Sequence, residues 1–259
     1  MSSPAAEDRQ SVILLGASNL TMGWKPVLKA LQSTVPGPLD IRVSLGMGRS
    51  FVDWSSFWLR RLPGIVDCGL WDSLPSAGAR PPLVLVTDLG NDIVYMHDPD
   101  RIFQAVTECI QRIQHWRPDA KIVLTGLPLC ALRPVDTLRF VIARTILFPR
   151  CLMPFKEILN KAETLDEMVQ KYAADNHFPF VIPQAEWYRA DPIHVIAPLR
   201  EKVFRQFFSH WKTEVPATVE SRTLPRAGLP SSAVKTFAGF ECKSQQPVFN
   251  SPELVVSAW

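Results

Sequence analysis

Short apolar runs rich in Val, Ile and Leu alternate along this chain with segments of helical periodicity, and this alternation limits the folds open to it. Continuous runs of this length are typical of strands that are buried on both faces of a sheet. The continuous runs lie at residues 11–15, 82–86, 121–124 and 178–182, and a weaker run, Asp-Ile-Arg-Val-Ser-Leu, lies at residues 40–45. The segments with helical periodicity lie at residues 20–34, 51–62, 99–116, 163–176 and 196–211. The sequence therefore predicts strands and helices in regular succession.

Strands that alternate with helices predict right-handed crossovers and a parallel sheet that is covered by helices on both sides. Five strands favour a three-layer α/β/α sandwich with a flavodoxin-like, five-stranded parallel sheet. In sheets of this kind, ligands bind outside the carboxyl ends of the strands, where the strand order reverses. The residues that directly follow each strand are therefore the candidates for function.

The chain has 259 residues, of which 47% are apolar and 20% are charged, as in ordinary globular proteins. We predict one main domain over residues 10–212 and a disordered N-terminus over residues 1–9. Residues 131–162 interrupt the repeat at the functional edge of the sheet, so we expect either a cap over a pocket or an extra helix on the core. Residues 213–259 are rich in Pro and Ser and predict an extended or disordered tail.

Charge and targeting signals narrow the range of partners. The net charge is +3 and the basic residues are scattered, which argues against binding to nucleic acid. The N-terminus carries acidic residues and lacks the basic segment of a signal peptide, so we expect a cytoplasmic protein. Arg139, Arg144 and Pro149 interrupt the most apolar long stretch, so we expect no transmembrane segment.

The cysteines give no sign of a metal centre. There are five of them, widely spaced and without a Cys-x-x-Cys pair. This pattern argues against a disulfide framework and against a zinc site. We therefore expect neither a metal nor a cofactor.

Polar residues follow four of the five predicted strands and would gather at one edge of the sheet. The segments are Gly16–Leu20, Gly46–Ser50, Asp88–Asp92 and Asp191–His194. Singly, each is typical of a turn or a helix cap. Together they supply a serine, amide donors, and a histidine with a carboxylate to orient it, which is the chemistry of a serine hydrolase.

In order and spacing, these blocks resemble those of the SGNH hydrolases, also called GDSL-type esterases. The resemblance spans roughly residues 11–211 and rests on Gly16-Ala17-Ser18-Asn19-Leu20, the Gly48 turn, Gly90-Asn91-Asp92 and Asp191-Pro192-Ile193-His194. It implies an esterase or acylhydrolase, with deacetylases included, that acts on a small-molecule ester through an acyl-enzyme. The family's usual Asp before the serine is Ala17 here, which leaves open an inactive binding protein of the same fold.

The resemblance also implies roles for individual residues. By motif, Ser18 is the nucleophile, His194 is its base and Asp191 orients the histidine. The backbone amides of Ser18 and Gly48 and the side chain of Asn91 would form the oxyanion hole. Four further residues near these blocks are candidate substrate contacts: Arg49, Asp92, His97 and Trp54.

Other interpretations use some of the same residues. A phosphate- or nucleotide-binding module would cradle an anion at Gly46 and Gly48, but the third glycine and the Walker-type lysine are missing. A receiver-like domain would use Asp88 as phosphoacceptor, but the acidic pair expected after the first strand is missing. The α/β-hydrolase fold would need a Gly-x-Ser-x-Gly elbow around the serine, which is also missing. A metal-dependent hydrolase would take its ligands from Asp88, Asp92, His97, Asp191 and His194.

Overall fold

The computed structural model describes residues 9–75, 80–135, 148, 151–213 and 228–259. Its centre is a seven-stranded sheet in which neighbouring strands run parallel, except for one antiparallel pair at an edge. In spatial order, with numbers that follow the chain, the strands are β10 (Phe249–Asn250), β11 (Leu254–Ala258), β2 (Leu39–Ser44), β1 (Gln10–Leu15), β5 (Leu83–Val86), β6 (Lys121–Thr125) and β7 (Phe180–Val181). The five predicted strands correspond to β1, β2, β5, β6 and β7, which confirms the predicted fold class.

Helices cover both faces of this sheet. Within the described ranges they are α1 (Ser18–Met22), α2 (Trp24–Thr34), α3 (Asn91–Val94), α4 (Pro99–Trp116), α5 (Leu129–Leu132), α6 (Phe155–Asp175) and α7 (Arg200–Ser209). Because side chains alternate along a strand, Val12 and Leu14 of β1 pack towards α2 and α7, whereas Ile13 and Leu15 pack towards α4 and α6. The sheet is thus the middle layer of a sandwich with an apolar core on each side.

Residues 51–62 differ from the prediction, which gave them a helix. They form a β-hairpin of β3 (Ser55–Phe57) and β4 (Arg60–Leu62), which joins β8 (Val234–Phe237) and β9 (Phe240–Lys243) in a second, antiparallel sheet. Trp58 lies at the hairpin tip with a φ of +55°, a left-handed conformation that an α-helix does not contain. The Asp92 carboxylate accepts hydrogen bonds from the backbone N–H groups of Phe51 and Val52. These tertiary contacts override the helical periodicity.

The segment predicted as a tail, residues 213–259, also differs from its prediction. Residues 214–227 lie outside the described ranges, and the rest carries strands β8 to β11. Strand β11 pairs in parallel with β2, and Leu254, Val256 and Ala258 are fully buried. Apolar residues at every second position are the pattern of a strand with one face in the core. The domain therefore extends beyond residue 212, and the central sheet has seven strands instead of five.

Two further predictions fall largely on residues that the structure does not describe. The predicted disorder of residues 1–9 concerns a segment of which Arg9 alone is described. Within the candidate cap, residues 131–162, the described parts are the end of α5, Phe148, and the start of α6 with the residues before it. Within the described chain, no helix has both the length and the apolar surface that crossing a bilayer would require.

Candidate active site

The carboxyl ends of the parallel strands bring the predicted functional residues to one edge of the sheet. Ser18 opens α1, three positions after β1, and Asn91 opens α3 after β5. Gly48 lies in the turn after β2, and His194 lies in the loop between β7 and α7. Ser18, Gly48, Asn91 and His194 all line one narrow crevice of about 20 Å³. The structure thus brings together residues that are up to 176 positions apart in the chain.

Asp191 and His194 form a short hydrogen-bonded pair beside this crevice. The His194 Nδ1 atom lies 2.6 Å from the Asp191 Oδ2 atom. The other carboxylate oxygen accepts the backbone N–H groups of Ile193 and His194, which fixes the turn between the two residues. Partial burial raises the pKa of Asp191, but the hydrogen bonds and the charge of His194 outweigh it and leave the pKa below its usual value. Asp191 is therefore ionised at neutral pH and holds the ring by Nδ1, which leaves Nε2 for proton transfer.

Ser18 is buried at the start of α1, with only 6% of its surface exposed. Among the described residues, no hydrogen bond joins its hydroxyl to His194. Catalytic hydrogen bonds are often long or poorly aligned in enzymes without substrate and tighten when the substrate binds. Both residues line the same crevice.

Two of the three predicted oxyanion donors, Gly48 and Asn91, are held by hydrogen bonds of their own. Gly48 has a φ of +60°, a left-handed conformation that favours glycine, and its carbonyl accepts the Tyr95 hydroxyl at 2.6 Å. The Asn91 Nδ2 atom donates to the Arg49 carbonyl at 3.1 Å. A primary amide has two N–H groups, so this contact orients the Asn91 side chain and leaves one donor for a ligand.

Asp88 and Asn19 form a network that the sequence analysis did not identify. Ala17 precedes α1 and has no side-chain group that could cap the helix. The Asp88 carboxylate instead accepts the backbone N–H groups of Ala17 and Asn19, each at 2.9 Å, and the Asn19 side-chain amide at 2.7 Å. Asp88 has a φ of +61°, which is uncommon for a residue with a side chain. A carboxylate from the loop after β5 thus stabilises the serine loop, although position 17 carries an alanine.

Asn19 links this network to the histidine loop. Its Nδ2 atom donates to the Ile193 carbonyl at 3.1 Å, and its Oδ1 atom accepts the Val195 backbone N–H at 2.9 Å. The two contacts flank His194 on both sides. Asn19 therefore fixes the distance between the His194 loop and Ser18, the residue that precedes Asn19 in the chain.

We expect Asn19→Ala to impair catalysis without removing any group that reacts. Loss of both contacts would let the His194 loop shift, and a displacement of about 1 Å costs a factor of about 100 in rate, so kcat should fall by roughly 10- to 100-fold. Steady-state kinetics on p-nitrophenyl acetate would measure this, with KM changing less than kcat. An unchanged kcat in a variant of normal thermal stability would contradict the assigned role.

Arg49 and Asp92, two of the candidate substrate contacts, prove to be structural. Arg49 is fully buried, and its guanidinium donates to the carbonyl oxygens of Leu45, Pro63 and Trp259. Burial lowers its pKa to about 10, which still leaves it charged at neutral pH. Asp92 is also fully buried and accepts the Ser50 hydroxyl as well as backbone N–H groups of the hairpin. Burial raises the pKa of Asp92, against the opposing effect of these hydrogen bonds. Both side chains are committed to the loop after β2 and cannot reach a substrate.

The other two candidates lie away from the site. The His97 Nε2 atom is 3.5 Å from an Asp53 carboxylate oxygen, and Trp54 lies under the Arg61 guanidinium at 5.6 Å. Neither residue lines the crevice.

The ligands that a metal-dependent hydrolase would use are dispersed, because Asp92, His97 and Asp191 have separate partners. Across the described ranges, no three His, Cys, Asp or Glu side chains form a group that could hold a metal ion.

The turn at Gly46 and Gly48 bears on the phosphate-binding alternative. That interpretation needs a helix that begins directly after the glycines and points its N–H groups at the anion. The chain instead continues into the β3–β4 hairpin. The glycine turn therefore lacks the helix N-terminus that would bind a phosphate.

Comparison with known proteins identifies relatives by structure and not by sequence. No protein-family model matches the chain, and no curated protein matches it. A candidate arylesterase from Agrobacterium tumefaciens is 16% identical, with a TM-score of 0.52 over 77% of this chain and 97% of that one. A carbohydrate acetylesterase from Sinorhizobium meliloti is also 16% identical, with a TM-score of 0.51 over 78% of this chain and 97% of that one. The likeness extends to the fold, and the chain shares the three-layer α/β fold of these two proteins.

Proposed function

We propose that this protein hydrolyses carboxylic esters, with Ser18 as nucleophile, His194 as general base and acid, and Asp191 as the residue that orients His194. The observation that carries the proposal is the 2.6 Å contact between Asp191 and His194 at the wall of a crevice that Ser18 also lines. A histidine whose Nδ1 is held by a carboxylate is the arrangement that activates a serine. The fold agrees with this assignment, because the structural neighbours are named as esterases.

The proposed reaction has two halves. In the first, the Ser18 oxygen attacks the ester carbonyl while His194 Nε2 takes the hydroxyl proton, and the tetrahedral intermediate collapses as His194 gives that proton to the departing alcohol. In the second, His194 takes a proton from water as the water oxygen attacks the acyl-enzyme, and then gives that proton to the Ser18 oxygen as the acid departs. The negative oxygen of each intermediate is stabilised by the amides of Ser18 and Gly48 and by Asn91.

The arrangement of amides around Ser18 supports this role. Asp88 accepts the N–H groups of Ala17 and Asn19, the neighbours of Ser18 on either side. The Ser18 N–H between them is not bonded to this carboxylate. Since Ser18 is the first residue of α1, its N–H has no partner within the helix and lies where the helix dipole favours negative charge.

A fluorophosphonate probe tests whether Ser18 is an activated nucleophile. Such a probe forms a covalent bond only with a serine whose base and oxyanion donors are in place, so the native protein should gain one label, which peptide mass spectrometry would locate at Ser18. Heat-denatured protein and the His194→Ala variant serve as controls and should take no label. A native protein that binds esters but takes no label and gives no turnover would be an inactive binding protein of the same fold.

A further inference from the structure

A large apolar cavity of about 550 Å³ adjoins Ser18. Building on the proposed function, we propose that this cavity holds the acyl chain of the substrate, so that the preferred substrates are esters of medium- to long-chain fatty acids instead of acetates. Apolar side chains from α3, α5, α6, α7 and the loop after β6 form most of its wall. They include Ile93, Leu127, Leu132, Ile158 and Phe207.

Two pairs of polar side chains in the wall are engaged with each other. The Thr125 hydroxyl donates to the Thr87 hydroxyl at 2.8 Å, and the Asn19 amide donates to the Asp88 carboxylate. A sugar ring needs hydrogen-bond partners along its length, because each buried hydroxyl without one costs free energy. A hydrocarbon chain needs none and gains free energy from burial. The wall therefore suits an alkyl chain.

The position of His194 indicates which part of the ester enters the cavity. His194 lines the narrow crevice together with Gly48 and Phe57, whereas Ser18 and Asn91 line both the crevice and the large cavity. Ser18 thus lies where the two spaces meet. Because the histidine must hand its proton to the departing alcohol, the alcohol leaves on the crevice side. The acyl group then extends into the large cavity.

The volume of the cavity sets the length of chain that it accepts. An apolar cavity of about 150 Å³ holds one molecule of benzene, with six carbons. This cavity is more than three times as large. On that scale the cavity has room for about twenty carbons, so a chain of roughly eight to twelve carbons fits with space to bend. An acetyl group would leave almost the whole cavity without contacts.

A series of p-nitrophenyl esters from acetate to decanoate, assayed below their aggregation limits, tests the chain length. We expect kcat/KM to rise by roughly two- to fourfold for each added methylene up to octanoate, the upper figure corresponding to about 0.8 kcal/mol per buried methylene. Ethyl octanoate and octyl acetate are isomeric alkyl esters that differ in which side carries the long chain, and octyl acetate should be the poorer substrate by at least tenfold. A kcat/KM that falls with acyl length, or a preference for octyl acetate, would overturn the proposal.

A variant that shortens the cavity gives an independent check. Leu132 is half-buried on α5 and lines the cavity, so Leu132→Trp should lower the octanoate-to-acetate ratio of kcat/KM at least tenfold. The matched control is Leu152→Trp, because Leu152 is 78% exposed and does not line the cavity. An unchanged ratio in folded Leu132→Trp protein would contradict the assignment of the acyl chain to this cavity. If the variant does not fold, the wild-type ester series still tests the proposal.

The outcomes separate this inference from the function on which it depends. If wild type and Ser18→Ala hydrolyse every ester equally slowly, the proposed function fails. If Ser18 is required for turnover of acetate and longer chains bring no gain, the ester hydrolase stands and the acyl-chain assignment fails.

Discussion

Replacement of Ser18 by alanine should lower kcat for p-nitrophenyl acetate by a factor on the order of 10⁴ to 10⁶. In the proposed mechanism the substitution removes the oxygen that would form the acyl-enzyme, so only the oxyanion donors and substrate binding would still act. Thermal stability should change little, because the hydroxyl makes no hydrogen bond among the described residues. Steady-state kinetics together with a melting curve would measure both effects.

The companion variants test whether Ser18 and His194 act as a unit. His194→Ala should cost about as much as Ser18→Ala, and the double variant should cost no more than either single one, since neither group works without the other. His97→Ala is the matched control, because His97 contacts Asp53 and does not line the crevice. Substantial activity in Ser18→Ala, or full additivity in the double variant, would mean that another group attacks the ester.

Replacement of Asn91 by alanine should lower kcat by about 100- to 1000-fold, the usual cost of one oxyanion donor. The free N–H of the Asn91 amide strengthens its hydrogen bond as negative charge develops on the carbonyl oxygen, so the loss falls on the transition state. KM should therefore change much less than kcat. Steady-state kinetics with p-nitrophenyl acetate would separate the two parameters.

A purely structural role for Asn91 would give a different result. Its amide also donates to the Arg49 carbonyl, and loss of that bond alone would appear as reduced stability. Asn176→Ala provides the comparison, because the Asn176 amide likewise donates to a backbone carbonyl, that of Tyr172, at the end of α6. A normal kcat in Asn91→Ala with a lowered melting temperature would assign Asn91 to the loop and remove it from the oxyanion hole.

The sequence predicts the parallel core because most of its strands are uninterrupted apolar runs that are buried on both faces of the sheet. The prediction of a helix fails for residues 51–62, although Phe51 and Val52 are buried as a helical pattern would require. There the fully buried Asp92 binds their N–H groups and opens the chain into a hairpin. That contact joins residues about 40 positions apart, so no local pattern reveals it.

The candidate site likewise contains residues that the sequence predicts and residues that it does not. Ser18, Gly48, Asn91 and His194 are predictable because each lies in the segment that follows a strand, and topology brings the strand ends together. In the sequence, Asn19 is only a neighbour of the serine, and Asp88 is only a candidate metal ligand or phosphoacceptor. Their roles depend on a bond between two loops 69 positions apart. The uncommon left-handed conformation of Asp88 marks that role in the structure but leaves no trace in the sequence.

The contact between Arg49 and Trp259 has a consequence for how the protein is made. The guanidinium is fully buried, and one of its acceptors lies 210 positions further along the chain. A nascent chain emerging from the ribosome can assemble β1, β2, β5 and β6 long before β11 exists. Until β11 docks beside β2, Arg49 lacks this partner and the apolar edge of β2 is open to water. Native folding of this edge is therefore delayed until synthesis has passed residue 259, and such contacts between distant segments are the ones that slow folding.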